Sequence, residues 1–124
     1  MLKDHPLDRA YRSYSTLIRQ LGERYGLSSR LYYIDIVNLP AVLDNAQGTV
    51  VINSTVGLSS LIHLVPTLCL GRAVYDITGL TFQGSLDEFW RQPGSVDPVL
   101  LQKFILWLRR ETQLVGTIWT GFAP

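Results

Sequence analysis

The chain has 124 residues, of which 47% are apolar and 17% charged, and a formal net charge of +1. That length supports one core rather than two ordinary domains, and the composition is globular rather than disordered. The near-neutral charge argues against nucleic acid as a partner, and the single cysteine, Cys69, excludes an internal disulfide.

The N-terminal run Met1-Leu2-Lys3-Asp4-His5-Pro6 has no apolar stretch of the kind that leads secreted chains. The longest apolar-rich region, 96–119, is interrupted by Asp97, Gln102, Lys103 and Arg109-Arg110-Glu111, so no membrane span is expected. These features point to a soluble protein, with docking on a membrane left open.

In chain order, Leu7 to Tyr25 reads as a helix. Tyr14, Leu17, Ile18, Leu21 and Tyr25 recur at three- and four-residue spacing, and Gly26 stops the run. Leu31–Ile36 is a short aromatic and β-branched strand, and Leu39–Ala46 a short helix opening near Pro40. Thr49–Ile52 is a β-branched run without alternation, as in a parallel strand buried on both faces. The loop Asn53-Ser54-Thr55-Val56-Gly57 and a helix over Leu58–Leu64 follow. Beyond Pro66 comes a buried strand, Thr67–Leu70, which includes Cys69. A glycine-containing loop, Arg72–Gln83, precedes a capped helical turn at Ser85-Leu86-Asp87-Glu88. Asp97-Pro98 supplies an N-cap and a first-turn proline for a long helix to about Leu114.

This alternation predicts an α/β fold: a partial Rossmann-like parallel sheet of about three strands with helices on both faces. Residues 1–124 are read as a single but incomplete nucleotide-binding domain. Met1-Leu2 stands where a first strand would be ending, so the expectation is the C-terminal portion of a larger domain.

Three clusters fall where such sheets bind ligands. The first is Asn53, Ser54, Thr55 and Gly57 at a strand-to-helix turn. Free N–H groups and the helix dipole favour a phosphate there, the Ser54 and Thr55 hydroxyls add donors, and Gly57 lets the backbone approach closely. A plain helix cap by Ser54 or Asn53 explains the same residues equally well. The second is Lys3 and His5 ahead of Pro6, a positive charge and a group able to donate a proton near neutral pH. Taken alone, an exposed turn histidine is the better account of it. The third is Gly71, Arg72, Tyr75 and Asp76 after the next strand. Arg72 suits a phosphate or carboxylate, and Tyr75 and Asp76 suit sugar or ribose hydroxyls; a structural loop capped by Asp76 is the equal alternative. His63 reads as structural, and two histidines with one cysteine give no metal cluster. Trp90, Trp107 and Trp119 are assigned to the core or to an interface.

The run VVINSTVGLSSLIHLVPTLCLGRAVYDITGLTFQGSLDEFW, Val50 to Trp90, closely resembles the capsule polysaccharide biosynthesis/export family. Lys3–Pro6 and Arg30–Leu43 match the same family order, so the resemblance covers nearly the whole chain. It implies the C-terminal donor-binding part of a GT-B glycosyltransferase similar to β-Kdo transferases. Such enzymes move Kdo from a CMP-sugar to a lipid or glycan acceptor for capsule biosynthesis and export. By this resemblance His5 is catalytic, contacting the donor phosphate and helping CMP depart. Ser54 and Thr55 hold the same phosphate, which agrees with the reading of the residues above, in which Lys3, Asn53 and Gly57 also serve the phosphate and Gly71, Arg72, Tyr75 and Asp76 contact the donor sugar. The CMP-sugar is a substrate, and neither a cofactor nor a metal is required. The expected partners are the nucleotide-sugar, the acceptor, and an N-terminal half or partner subunit carrying the acidic general base. Ser59 and Ser60 stand where many GT-B enzymes carry a ribose-binding glutamate, which removes that contact. The rival reading is a non-catalytic, truncated nucleotide-binding or interaction module.

Overall fold

The computed structural model describes residues 1–3, 14–34 and 37–112. They form two compact units, Met1–Leu39 and Pro40–Pro124.

In the first unit, strand β1 (Leu2–Lys3) pairs in parallel with strand β2 (Tyr33–Ile34), Leu2 opposite Tyr33 and Lys3 opposite Ile34. Helix α1 (Ser15–Arg24) connects them in sequence. Its end follows from Gly26, whose φ of 66° is a left-handed conformation that costs glycine nothing. The Gly26 N–H then reaches the Glu23 carbonyl at 3.3 Å and the Leu27 N–H reaches Gly22 at 2.7 Å, a Schellman closure of the last turn. Leu17, Leu21 and Tyr25, which recur at helical spacing, are exposed. A two-stranded sheet of two-residue strands offers little surface to cover them.

The second unit begins with α2 (Leu39–Leu43), shorter than the expected Leu39–Ala46 because residues 44–46 continue as turns rather than helix. Strand β3 (Thr49–Val51), helix α3 (Thr55–Ile62) and strand β4 (Thr67–Cys69) make a parallel β-α-β unit. Thr49, Val50 and Val51 lie opposite Thr67, Leu68 and Cys69. On the other edge of β4, Phe82 forms a single parallel bridge to Leu68, its N–H donating to the Thr67 carbonyl at 2.8 Å. Leu61, Tyr75, Leu80, Val96, Leu101 and Phe104 form one buried cluster, which joins α3, the 70–83 loop and α5 (Pro98–Thr112).

The caps explain where the later helices begin. Asp97 Oδ1 accepts from the Val99 and Leu100 N–H groups at 2.9 and 3.0 Å, and the Asp97 N–H donates to Gly79, fastening the loop to α5. Ser85 and Glu88 close a capping box at α4 (Leu86–Arg91). The hydroxyl and N–H of Ser85 hold the Glu88 carboxyl below its ordinary range. Phe89 of α4 is buried and meets the Phe82 ring edge-on, with centroids 5.5 Å apart.

The α/β character and every expected element among the described residues are present, but the sheet differs from expectation. Among the described residues each unit holds its own parallel pair, β1 with β2 and β3 with β4, where the sequence predicts about three strands. A strand's hydrophobic pattern marks its existence, whereas its partner is set by contacts far away in sequence. Double-sided burial is also incomplete: Thr67 and Leu68 are buried, but Thr49, Val50 and Cys69 are only half-buried. Trp90 and Trp107 are exposed rather than in the core, and Trp119 lies outside the described residues.

Candidate functional site

Strands β3 and β4 are parallel, so their carboxyl ends share one edge, where open α/β sheets bind ligands. Ile52, Asn53 and Ser54 leave β3 there, and Leu70, Gly71 and Arg72 leave β4. The Gly71 N–H donates to the Ile52 carbonyl at 2.8 Å and the Leu70 N–H to Val51 at 2.8 Å. These bonds stitch the two exit turns together, so the first and third sequence clusters do meet. Lys3 lies in β1 of the first unit, and His5 falls outside the described residues.

The supposed five-residue loop is mostly helix. Ser54 is the N-cap of α3, in extended conformation, and Thr55, Val56 and Gly57 are its first turn. The helix starts three residues before the expected Leu58 because Ser54 Oγ accepts the Val56 N–H at 3.2 Å and caps it there. The Gly57 N–H bonds to the Ser54 carbonyl at 2.9 Å. The Thr55 N–H and the Asn53 side chain have no hydrogen-bond partner among the described residues, and both are donors at the positive end of α3. Exposed Arg72 likewise makes no ion pair or hydrogen bond among the described residues, which leaves its guanidinium available. Ser59, half-buried, bonds back to Thr55, and buried Ser60 bonds to Thr49 Oγ1 and the Val56 carbonyl at 3.1 and 2.9 Å. Both serines serve the helix.

Tyr75 is placed otherwise than its expected contact with a sugar. Its ring is buried in the core cluster, and its hydroxyl donates to the Ser54 carbonyl. Burial above all, then the adjacent Cys69 and the Asp76 charge, push its pKa up to about 12, so it remains a donor throughout the neutral range. Burial, followed by the Asp76 charge, also pushes the Cys69 thiol up, against a smaller lowering influence of the nearby Tyr75 hydroxyl, which favours the protonated thiol.

Gly57 also has a reason other than close approach to a phosphate. A Cβ there would collide with the Tyr75 hydroxyl and lie 2.7 Å from two ring carbons. The glycine makes room for Tyr75 beneath the helix start. Asp76 is exposed, but its Oδ1 accepts from Thr81 Oγ1 at 2.7 Å and Gln83 Nε2 at 3.1 Å, so it organises its own loop. No sequence motif announced the Tyr75–Ser54 bond, because its partners are 21 residues apart.

His63 follows α3 as its C-cap, and its Nδ1 lies 2.7 Å from Asp44 Oδ1, a structural tie to the turn after α2. No group of three or more His, Cys, Asp or Glu side chains among the described residues is arranged to hold a metal ion. No described helix is long and apolar enough to cross a membrane.

A parallel β-α-β unit with a helix start and Arg72 at the carboxyl edge of its strands defines an α/β protein compatible with a Rossmann-like fragment. The chain belongs to the capsule polysaccharide biosynthesis protein family, whose sequence model matches residues 1–119. It is 43% identical over 114 residues to the capsule polysaccharide export protein KpsS of Escherichia coli, covering 92% of this chain and 29% of that protein. It is 40% identical over 121 residues to the capsule polysaccharide modification protein LipB of Neisseria meningitidis serogroup A, covering 97% of this chain and 29% of that protein. The chain thus spans 29% of the length of these relatives. No solved structure matches it significantly.

Proposed function

We propose that this chain is the donor-holding part of a glycosyltransferase of GT-B type, acting in capsule polysaccharide biosynthesis and export. The whole enzyme moves a sugar, Kdo, from its CMP donor to a lipid or glycan acceptor. The observation that supports this reading is the α3 start: the Thr55 N–H, the Asn53 amide and Arg72, none with a hydrogen-bond partner among the described residues, lie in the turns that leave β3 and β4 at one sheet edge.

The chemistry suits such a rim. A bond forms between the acceptor oxygen and the anomeric carbon, and the bond from that carbon to the CMP phosphate oxygen breaks. The acceptor proton passes to a general base outside the groups assigned here, and CMP departs as a phosphate monoester dianion. Preorganised N–H, hydroxyl and guanidinium donors stabilise that developing charge. In this reading Ser54 and Thr55 hold the phosphate, Arg72 pairs with a phosphate or with the donor's carboxylate, and His5 and Lys3 assist the leaving group. Cytoplasmic placement with peripheral attachment to the inner membrane follows from a water-soluble donor and a lipid acceptor.

Calorimetric titration of CMP and cytidine into the chain, together with whatever its gene encodes on either side, tests this. CMP is expected to bind more tightly than cytidine, and Arg72→Ala to remove most of the difference. Equal affinities in the unaltered protein would sink the donor-phosphate reading.

The alternative, a non-catalytic interaction module, has one observation in its favour. Ile52, Leu70 and Val74 are exposed near the same sheet edge, an apolar surface that a protein partner would cover. In that case neither CMP nor cytidine binds.

A further inference from the structure

The Ser54 carbonyl accepts two bonds: the local one from the Gly57 N–H and a second from the Tyr75 hydroxyl, which arrives from a loop beyond β4. The second is unusual in its setting. Tyr75 is 3% exposed, and its ring fills the space that the missing Gly57 side chain leaves. The hydroxyl is therefore fixed by packing on one side and by the carbonyl on the other.

That carbonyl belongs to the peptide whose N–H is Thr55's. A trans peptide is planar, so its C=O and N–H point in opposite directions. Holding the oxygen inward thus fixes the Thr55 N–H outward, away from Tyr75. Hydrogen bonding at the oxygen also polarises the peptide and strengthens its N–H as a donor. Ser54 Oγ, engaged with the Val56 N–H, does not compete for the Thr55 N–H.

We infer that Tyr75 is a positioning residue that grips the Ser54 carbonyl from the core and thereby aims the Thr55 N–H at a bound phosphate. That the phosphate is a nucleotide's rests on the donor-site reading above. Tyr75 itself touches no ligand, so its effect should fall on the phosphate and not on the nucleoside.

The test uses ¹⁵N-labelled chain, together with whatever its gene encodes on either side, carrying Tyr75→Phe, which keeps the ring and removes the hydroxyl. Without ligand, the Thr55 amide resonance should move upfield while the Leu61 amide stays in place. CMP affinity should weaken roughly five- to tenfold, the scale of one neutral hydrogen bond, with cytidine affinity unchanged. Replacing Tyr75 by 3-fluorotyrosine, a stronger donor of nearly the same shape, should move the Thr55 resonance the opposite way, and serves if Tyr75→Phe fails to fold. A Thr55 amide indifferent to both replacements, or equal weakening of CMP and cytidine, overturns the positioning role. Inorganic phosphate separates the two readings. If it binds with the same sensitivity to Tyr75→Phe but CMP binds no better than cytidine, the donor reading falls and the positioning stands. If phosphate and CMP both fail to bind, both readings fall.

Discussion

The chain makes two parallel β-α-β arrangements from similar local signals, β1-α1-β2 and β3-α3-β4, and they end differently. In the second, the 70–83 loop and α5 supply a core, and the helix start is held from within by Tyr75. In the first, α1 leaves Leu17 and Leu21 exposed. Both helices finish with the same Schellman pattern, yet α1 uses Gly26 at the left-handed position and α3 uses Leu64, at φ 57°. Local rules therefore produce the motif twice, but only the second copy has the long-range packing to tolerate a strained residue at its end.

The widest separation between the units should come from truncating an apolar residue in each. Phe89→Ala is expected to cost about 3–5 kcal/mol by denaturant unfolding, because it empties a buried site. Leu17→Ala should change the midpoint by less than about 0.5 kcal/mol. Comparable losses would mean that α1 is as well packed as α4.

Gly57→Ala comes next. Its methyl meets the Tyr75 ring, which is backed by the core, so a loss of about 1–3 kcal/mol is expected in the same unfolding measurement. It should also displace the Ser54 peptide and weaken phosphate binding, whereas a stable, fully binding variant would show that Tyr75 does not need that space.

Exchanging the two helix-ending residues sharpens the comparison further. Leu64→Gly should raise stability by about 0.5–1 kcal/mol, since Leu64 is largely exposed and its backbone strain is relieved. Gly26→Leu should lower it by a similar amount, about 0.5–1 kcal/mol. Nothing lies within 4 Å of a Cβ built at Gly26, so only the backbone term operates. Thermal melts of both variants measure the pair, and equal signs would refute the strain account.

The smallest effect at neutral pH belongs to the Tyr75 hydroxyl. Its folded pKa of about 12 stands above the ordinary tyrosine value of about 10, so the fold favours the protonated form. Its contribution is complete below pH about 10 and is lost as pH rises through about 12. Stability measured from pH 8 upward should be level and then fall, and Tyr75→Phe should flatten the fall. An unchanged alkaline limb would detach the hydroxyl from stability.

The site was partly legible. Ser54 as a helix cap, Asp97 with Pro98, and the Ser85–Glu88 box were readable because each works through bonds within a few residues. The position of Arg72 beyond a strand end was readable from the order of apolar runs. Tyr75 was not: a tyrosine in a glycine-containing loop has no local mark that separates a core anchor from a ligand contact. Gly57 was recognised as a close-approach residue, but the approaching group is a ring of this chain.

By itself the sequence determined that the helices and strands exist, where the capped helices α4 and α5 begin, and the family, since these rest on caps, periodicity and a long specific run of residues. The tertiary structure alone decided which strands pair and that Tyr75 reaches Ser54 across 21 positions. The division has a physical cause. Caps and turns are settled by neighbours in the chain, whereas strand partners and buried donors are chosen by packing among residues that sequence keeps apart.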